Sequence, residues 1–200
     1  LDDYVRDVCA ELLDDLAGRE EFDYVQDFAA QVPSMVISRL VGVPEKEREE
    51  QRVNIDTMFH IDPEQGMVND IAFLARIRVH EYLMDLVQRH KNRPEEFGDD
   101  MIKVLIGAEI TGDDGEMRSL DDDELVQFTL LLYVAGTETV MRLLGNAAVV
   151  LAANPKQRAE LVADPSLIPN AIEELLRFEA PSPVNGRWTM KDIDLHGVQI

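Results

Sequence analysis

The sequence predicts a mainly α-helical fold with a few β-strands near the C-terminal end. Apolar residues recur at three- and four-residue spacing through most of the chain, and helix start and stop signals separate these stretches. Strict alternation of apolar and polar residues appears only after Pro181. The 200 residues are 46% hydrophobic, which is enough for one sizeable core. We therefore expect residues 1–200 to belong to a single domain.

The first half of the chain predicts a series of helices joined by short turns. Gly18 stands where the first helix ends, Asp23 can cap a short helix, and Gly42 closes the next one. The predicted helical stretches cover residues 5–16, 23–28, 33–42, 45–59, 68–92 and 101–109. Residues 111–119 contain two glycines and several polar side chains and are predicted to form a loop.

One unusually long helix is predicted in the second half. Ser119 and Asp122 have the spacing of a capping box, and no proline follows until Pro155. One helix over residues 120–152 would be near 45 Å long and would cross the whole domain. Two further helices follow, the second over residues 170–179, and the region 183–200 is predicted to contain strands.

Charge excludes several classes of partner. The formal net charge of −21 argues against nucleic acid or an anionic membrane surface, because phosphate groups are bound by clustered Lys and Arg. A single cysteine, Cys9, excludes an internal disulfide framework and fits a reducing compartment. We find no run of roughly 18 apolar residues and no charged-then-apolar leader. The sequence therefore predicts a cytoplasmic protein without a membrane span.

Both ends of the sequence suggest a truncated chain. It starts at Leu1 rather than at a methionine, and it stops at Ile200 within HGVQI, an alternating pattern that needs a partner strand. We expect these residues to form part of a larger protein.

The stretch LLLYVAGTETVMRLLG interrupts the long apolar helix with small and polar residues. Leu132, Ala135, Gly136 and Thr139 share one helix face, where the small residues would form a notch in an apolar wall. The Thr139 hydroxyl can bond the Ala135 carbonyl and so disturb the helical hydrogen bonds. Glu138 lies about 100 degrees round the helix from Thr139. The alternative is a helix-packing groove with a partly exposed Glu138, and periodicity alone favours it.

Other candidate residues have simpler interpretations. Glu174 and Arg177 in EELLR are three residues apart and can form an ion pair on one helix face, which is common in helices. Cys9 lies on an apolar helix face and is interpreted as a core thiol. The four histidines lack metal-ligand spacing, and we expect surface or turn positions for them. These are His60, His80, His90 and His196.

Taken in order, these motifs identify a family. AGTET in a long helix, then EELLR, then PSPVNGR and a strand pattern ending in HGVQI resemble the cytochrome P-450 family, the haem-thiolate monooxygenases. The stretch FDYVQDFAAQVPSMVISRLVGVP is similar to the segment that leads from the fourth to the sixth helix in soluble bacterial members. The resemblance covers nearly the whole chain. It implies the central helical part of a cytochrome P-450 fold.

The resemblance implies roles for residues of the long helix. Glu138 and Thr139 match the acid–threonine pair that manages proton delivery to bound oxygen. Ala135 and Gly136 match the positions where the helix opens to form the oxygen pocket, and Leu132 would line that pocket.

The resemblance also implies roles for the residues that follow. Glu174 and Arg177 match a Glu-x-x-Arg pair that holds the core together near the haem without doing chemistry. Arg187 matches an arginine that pairs with a haem propionate, and Asn185 falls where some relatives carry another propionate contact. The predicted lining of the substrate cavity consists of Ser182, Pro183 and Val184.

The implied activity is haem-dependent hydroxylation, in which RH, O2, two electrons and two protons give ROH and water. The cofactor would be haem b, and its iron-ligating cysteine is expected beyond Ile200, because no cysteine-containing haem loop occurs in this chain and Cys9 cannot replace it. The implied partners are a ferredoxin or flavodoxin and a small hydrophobic substrate. The alternative is a non-catalytic helical protein that binds a ligand or a partner on the same scaffold.

Overall fold

The computed structural model describes residues 1–112 and 115–200, and helices dominate this part of the chain. The α-helices are α1 (Asp2–Leu16), α2 (Gln31–Val41), α3 (Arg48–Met58), α4 (Asp70–Asn92), α5 (Met101–Ile106), α6 (Asp122–Ala153), α7 (Pro155–Ala163) and α8 (Ile168–Phe178). Shorter turns are a π-helix at Val25–Ala29 and 3-10 turns at Glu45–Glu47, Pro94–Glu96 and Pro165–Leu167. The predicted mainly α fold is confirmed.

The long helix α6 begins at a capping box different from the predicted one. The Asp121 carboxylate accepts a hydrogen bond from the amide of Glu124 at 2.8 Å, and the Glu124 carboxylate accepts one from the amide of Asp121 at 3.0 Å. The prediction of Ser119 and Asp122 was wrong, because Ser119 is still extended and pairs with Glu109 in a hairpin. The helix covers residues 122–153 rather than 120–152.

The predicted loop after α5 is partly a β-hairpin. Strands β1 (Glu109–Thr111) and β2 (Met117–Ser119) are antiparallel, with Ile110 opposite Arg118. For residues 113 and 114 the loop prediction lies outside the described residues. Helix α5 ends at Gly107 and is shorter than predicted, since the chain enters β1 two residues later.

The C-terminal region contains a second, smaller hairpin. Strands β3 (Asp194–Leu195) and β4 (Val198–Gln199) pair antiparallel, and Ile193 and Ile200 extend the pairing with two backbone hydrogen bonds of 3.1 and 2.9 Å. The predicted strand region 183–200 was too long, because residues 183–192 form no strand. Pro183 lacks an amide donor for such a ladder. The helix predicted at 170–179 covers residues 168–178.

The core lies where α2, α3, α4, α5 and α6 meet. Its fully buried aromatic residue is Tyr133 of α6, whose hydroxyl lies 2.9 Å from the Ser38 hydroxyl of α2. Burial raises the pKa of Tyr133 to about 12, so the phenol stays neutral and its hydrogen bond joins two helices. The surrounding apolar side chains include Val41, Ile55, Val79, Leu83, Leu86, Ile102, Leu125 and Val126.

Helix α6 is also long and apolar enough, by length and composition alone, to cross a membrane. The expectation that no stretch approaches such a span was therefore wrong on composition. The same properties are found in core helices of soluble proteins, and α6 packs against α2 and α4. Length and composition of this one helix are weak evidence for a membrane.

Candidate functional site

One face of α6 is apolar and exposed. Leu131 is 63% exposed and Phe128 is 45% exposed, and Ala135 and Thr139 continue the same face at intervals of four residues. We call these four residues the open face of α6. Its middle carries only the methyl group of Ala135 and the short side chain of Thr139, so a flat group could approach the helix closely there.

The Thr139 hydroxyl donates a hydrogen bond to the carbonyl oxygen of Ala135 at 2.8 Å, as predicted. Thr137, on the buried side of the helix, donates to the carbonyl of Tyr133 at the same distance. These bonds do not break the helix, because α6 is α-helical without interruption from residue 122 to residue 153. The prediction that the helix is disturbed between Ala135 and Thr139 was therefore wrong in extent. The two hydroxyls donate to backbone carbonyls of an α-helix that stays intact.

Gly136 faces α2 rather than the open face. A Cβ atom placed on it would lie 2.7 Å from Cδ1 and 2.8 Å from Cγ1 of Ile37. Leu132, one turn earlier, is likewise half-buried. The predicted notch therefore divides in two, since Ala135 and Gly136 differ by about 100 degrees in direction. The packing assigns Gly136 to the contact between α2 and α6, and its role in an oxygen pocket stays a prediction.

Glu138 is buried, with 7% of its surface exposed. Its Oε1 accepts a hydrogen bond from Nε of Arg142 at 2.5 Å, one turn later in α6. The alternative of a partly exposed Glu138 in a packing groove is thus wrong about exposure. A buried carboxylate is costly unless it is paired, and Arg142 supplies the pair. The predicted acid and hydroxyl therefore lie on adjacent faces of the same turn, with Glu138 inside and Thr139 on the open face.

The Glu174–Arg177 pair forms as predicted but is exposed. Nε and Nη2 of Arg177 donate to the two carboxylate oxygens of Glu174, each at 2.7 Å. The side chains are 69% and 60% exposed for Arg177 and Glu174, so the buried position expected for a core pair is not observed. The hydrogen bonds from Arg177 lower the pKa of Glu174. Glu174 borders a cavity of about 430 Å³ between α6, α7 and α8.

The remaining predicted site residues follow α8 in an exposed, irregular segment. These residues are Ser182, Pro183, Val184, Asn185 and Arg187. Within residues 1–112 and 115–200, no hydrogen bond joins this segment to α6. A hydrogen bond does join α6 to the residue just after α8: the side-chain amide of Asn146 donates to the carbonyl of Glu179 at 3.2 Å. The structure thus brings together Ala135, Glu138 and Thr139 but does not bring residues 182–187 to them.

A buried histidine was missed by the sequence analysis. His90 is 3% exposed, stacks on Phe97 with ring centroids 3.7 Å apart, and has Nε2 3.1 Å from Oδ2 of Asp100. Its Nδ1 lies 2.8 Å from the carbonyl of Leu86. The expected surface or turn position for His90 was wrong, because its pairing partner is brought close only by the fold. The nearest sequence signal is Asp100, which caps α5.

A second polar cluster joins the start of α3 to α4. Glu47 accepts hydrogen bonds from the Tyr82 hydroxyl at 2.8 Å and from Nη2 of Arg89 at 2.9 Å. The Arg89 hydrogen bonds lower the pKa of Glu47, while burial raises that of Tyr82. Nothing in the spacing of these residues along the sequence predicts the cluster, since Glu47 and Tyr82 are far apart in the chain.

Metal ligands are not grouped in this part of the protein. Among the described residues, no set of three or more His, Cys, Asp and Glu side chains could hold a metal ion. Cys9 is half-buried on α1, and burial raises the pKa of its thiol. Such a thiol is a poor metal ligand because the thiolate form is disfavoured.

The fold and the site define a mainly helical protein whose longest helix presents a small-residue, apolar face beside a buried acid. No family model matches the chain. Cytochrome P450 107B1 of Saccharopolyspora erythraea is 38% identical over 177 residues, which are 88% of this chain and 40% of that protein. The 6-deoxyerythronolide B hydroxylase of the same organism is 36% identical over 196 residues, 98% of this chain and 46% of that protein.

A solved structure agrees with these relatives. P450BioI, in a complex with acyl carrier protein ligated to hexadec-9Z-enoic acid, matches with a TM-score of 0.82 and 30% identity, over 98% of this chain and 49% of that chain. The chain belongs to the cytochrome P450 family, as the sequence motifs predicted. It spans about half the length of the curated relatives it matches.

Haem b, the cofactor of this family, fits the residues that the structure shows on one side. The open face of α6 is flat and apolar at Ala135, as the porphyrin plane requires. The guanidinium of Arg187 is exposed and has a side-chain hydrogen bond to the carbonyl of Gly186 at 3.1 Å, so it can also meet a propionate. Ala135 and Arg187 are thus compatible, in shape and in charge, with a porphyrin plane and a propionate respectively.

Proposed function

We propose that this chain contributes to a haem-dependent monooxygenase that inserts one oxygen atom of O2 into a small hydrophobic substrate. The observation that carries the proposal is the turn of α6 at which the open face ends: the Thr139 hydroxyl is exposed and the Glu138 carboxylate is buried beside it. The named activity of one relative, 6-deoxyerythronolide B hydroxylase, supports the same class of reaction.

The residues that would hold haem b are those of the open face, with Arg187 and Asn185 at its propionates. A guanidinium suits a propionate because it donates two parallel hydrogen bonds to a carboxylate. When bound, haem supplies the electron transfer and oxygen activation that side chains cannot perform. The iron-ligating cysteine expected beyond Ile200 stays a prediction, and the Glu174–Arg177 pair is assigned a structural role in holding α8.

Proton delivery is assigned to Glu138 and Thr139. The Thr139 hydroxyl donates its hydrogen to Ala135, so its oxygen lone pairs are available to accept a hydrogen bond from a water or an acid. Glu138 is ionisable and can take up and release a proton. The other side chains of the open face are apolar, so Glu138 and Thr139 are the groups at this turn of α6 that can carry a proton.

The substrate is assigned to the apolar class. Six apolar side chains are exposed within the segment 54–74, which we assign to the roof of the cavity: Ile61, Met67, Val68, Ile71, Phe73 and Leu74. Leu132 and residues 182–184 complete the predicted cavity lining. The acyl carrier protein complex is a property of P450BioI, and it makes a carrier-bound acyl chain one substrate to include in a screen.

We assign electron delivery to a ferredoxin or flavodoxin and the location to the cytoplasm. The relatives are bacterial, and the composition excludes a preference for nucleic acid or anionic lipid. Both assignments can be checked on the natural protein, by reduction with purified redox proteins and by fractionation of the cells that make it.

The deciding experiment is a carbon monoxide difference spectrum of the natural protein that contains this chain. A thiolate-type spectrum, together with a spectral shift on adding apolar substrates, is the expected result. A protein that binds apolar ligands but takes up no haem would instead support the alternative, a non-catalytic binding protein on the same scaffold. Residues 1–200 alone should give no thiolate-type spectrum, since Cys9 lies in α1 and is half-buried.

A further inference from the structure

We propose that Arg142 is a positioning residue for proton delivery: it holds the buried Glu138 carboxylate in one orientation and connects it to solvent. This inference rests on the proposed monooxygenase function and names a residue that the acid–threonine motif does not contain.

The pair spans the boundary between the protein interior and solvent. The Glu138 side chain is 9% exposed and the Arg142 side chain is 46% exposed, and their Oε1 and Nε atoms are 2.5 Å apart. Nε is the guanidinium nitrogen nearest the helix, so the two Nη groups extend beyond it toward solvent. Water at the guanidinium is therefore one side chain away from the buried carboxylate.

This ion pair differs from the other pairs at three- or four-residue spacing. Among those in residues 1–112 and 115–200, the carboxylate of Glu138 is the least exposed, whereas the others are 49% exposed or more. Exposed pairs contribute little to stability because water competes for both partners. A pair with a buried carboxylate is different, since loss of the cation leaves an uncompensated charge inside the protein.

The orientation of Glu138 matters because Thr139 faces another direction. Successive residues differ by about 100 degrees, so the carboxylate can serve the open face only from a fixed position beside it. Arg142 binds one oxygen, Oε1, and leaves Oε2 as the oxygen that can receive a proton. Oε2 takes a proton from a hydronium ion of the solvent, and Glu138 returns to its ionised, Arg-bound form when it releases that proton to a water molecule hydrogen-bonded to the Thr139 oxygen.

The test uses the full-length haem protein with four variants: Glu138→Gln, Arg142→Ala, Arg142→Lys and the double variant Glu138→Gln/Arg142→Ala. Product formed per reductant consumed, peroxide released and the solvent deuterium isotope effect are measured for each. Arg142→Ala should reduce product per reductant by about 10-fold, less than the roughly 10²- to 10⁴-fold contribution of the proton-transferring group itself. Arg142→Lys should recover part of the loss because it keeps the charge.

The double variant provides the sharpest readout. If Arg142 acts through Glu138, the double variant should behave like Glu138→Gln alone, since residues that act as a unit are not additive. The double variant also removes both charges and so avoids an unpaired buried carboxylate. Losses that multiply in the double variant would overturn the inference, because they would show that Arg142 acts independently of Glu138.

Two controls separate positioning from folding. Arg93→Ala removes a surface arginine paired with Glu96 at 3.1 Å and should leave product yield unchanged. Guanidinium ion at low concentration should restore part of the activity of Arg142→Ala, because the partly exposed site is open to solvent. Full coupling in Arg142→Ala, or an equal loss in Arg93→Ala, would refute the role of Arg142. Failure of the unaltered protein to bind haem would refute the proposed function, and the inference with it.

Discussion

Replacing Gly136 with Ala tests how α2 and α6 position the open face. In the interior of a helix, Ala is favoured over Gly by about 1 kcal/mol, so the change by itself should stabilise the protein. At this position the new Cβ would lie 2.7 and 2.8 Å from two carbon atoms of Ile37 and 3.3 Å from a third. Distances this short require Ile37 or the helix to move.

The magnitude follows from these two opposing effects. Forcing an extra methyl group into a packed contact typically costs about 1–3 kcal/mol. Subtracting the helix preference of about 1 kcal/mol leaves a net destabilisation of about 0–2 kcal/mol. We expect the larger part of this range, because Cγ1 of Ile37 is close to the backbone and cannot swing away as a side-chain end can.

Gly145 provides a matched control within α6. A Cβ on Gly145 would meet only Cγ2 of Val25, at the ordinary contact distance of 3.6 Å. Gly145→Ala should therefore raise the free energy of unfolding by up to about 1 kcal/mol. The assay is urea unfolding of both variants followed by circular dichroism. If Gly136→Ala is stabilised as much as Gly145→Ala, the close packing of α2 on α6 is refuted. If Gly136→Ala is destabilised as expected, adding Ile37→Ala should restore part of the lost stability.

Further predictions concern the reaction, the turn after α2 and the start of α6. Thr139→Ala should keep haem and substrate binding but divert reductant to peroxide, with product formation lowered by about 10²-fold or more; unchanged product yield would contradict its role. Gly42→Ala should destabilise the protein by about 2 kcal/mol or more, because φ is +100° and the new Cβ would lie 2.8 Å from His90 Nε2; the urea midpoint reports it. Arg118 lowers the pKa of Glu124 to about 2, so this carboxylate stabilises the folded state above its ordinary pKa of 4.5, and the stabilisation is lost as the pH falls from 4.5 toward 2. Glu124→Gln should flatten that acid dependence of stability, and an unchanged profile would contradict it.

The helices could be predicted because their signals are local. Asp23, whose Oδ1 accepts hydrogen bonds from the amides of Val25 and Gln26, and Gly42, which ends α2 with a positive φ, mark helix ends in the sequence itself. The start of α6 was misplaced by two residues because two overlapping acidic motifs compete there, and only the hairpin pairing of Ser119 excludes the first. Local sequence patterns therefore predict that a helix forms more reliably than they predict the residue at which it begins.

The site was predicted in its residues but not in its geometry. Thr139 and its bond to Ala135 follow from four-residue spacing, which is the same in every α-helix. The burial of Glu138 and the contact of Gly136 with Ile37 depend on where α2 packs, and no periodicity within α6 contains that information. His90 was missed for the same reason, since Asp100 and Leu86 become its partners only when α4 and α5 are packed together.

The direction of the open face is set by contacts on the opposite side of α6. Gly136 lets α2 approach closely, and the buried hydrogen bond between Tyr133 and Ser38 prevents the two helices from sliding or rotating past each other. A rotation of one residue, about 100 degrees, would bury Thr139 and expose Glu138, and it would also break that hydrogen bond inside the core. Since an unpaired buried hydroxyl costs roughly 1–3 kcal/mol, the packing against α2 selects which of the two polar side chains faces outward. The chemistry assigned to this turn therefore depends also on Tyr133 and Ser38, whose hydrogen bond lies in the core between α2 and α6.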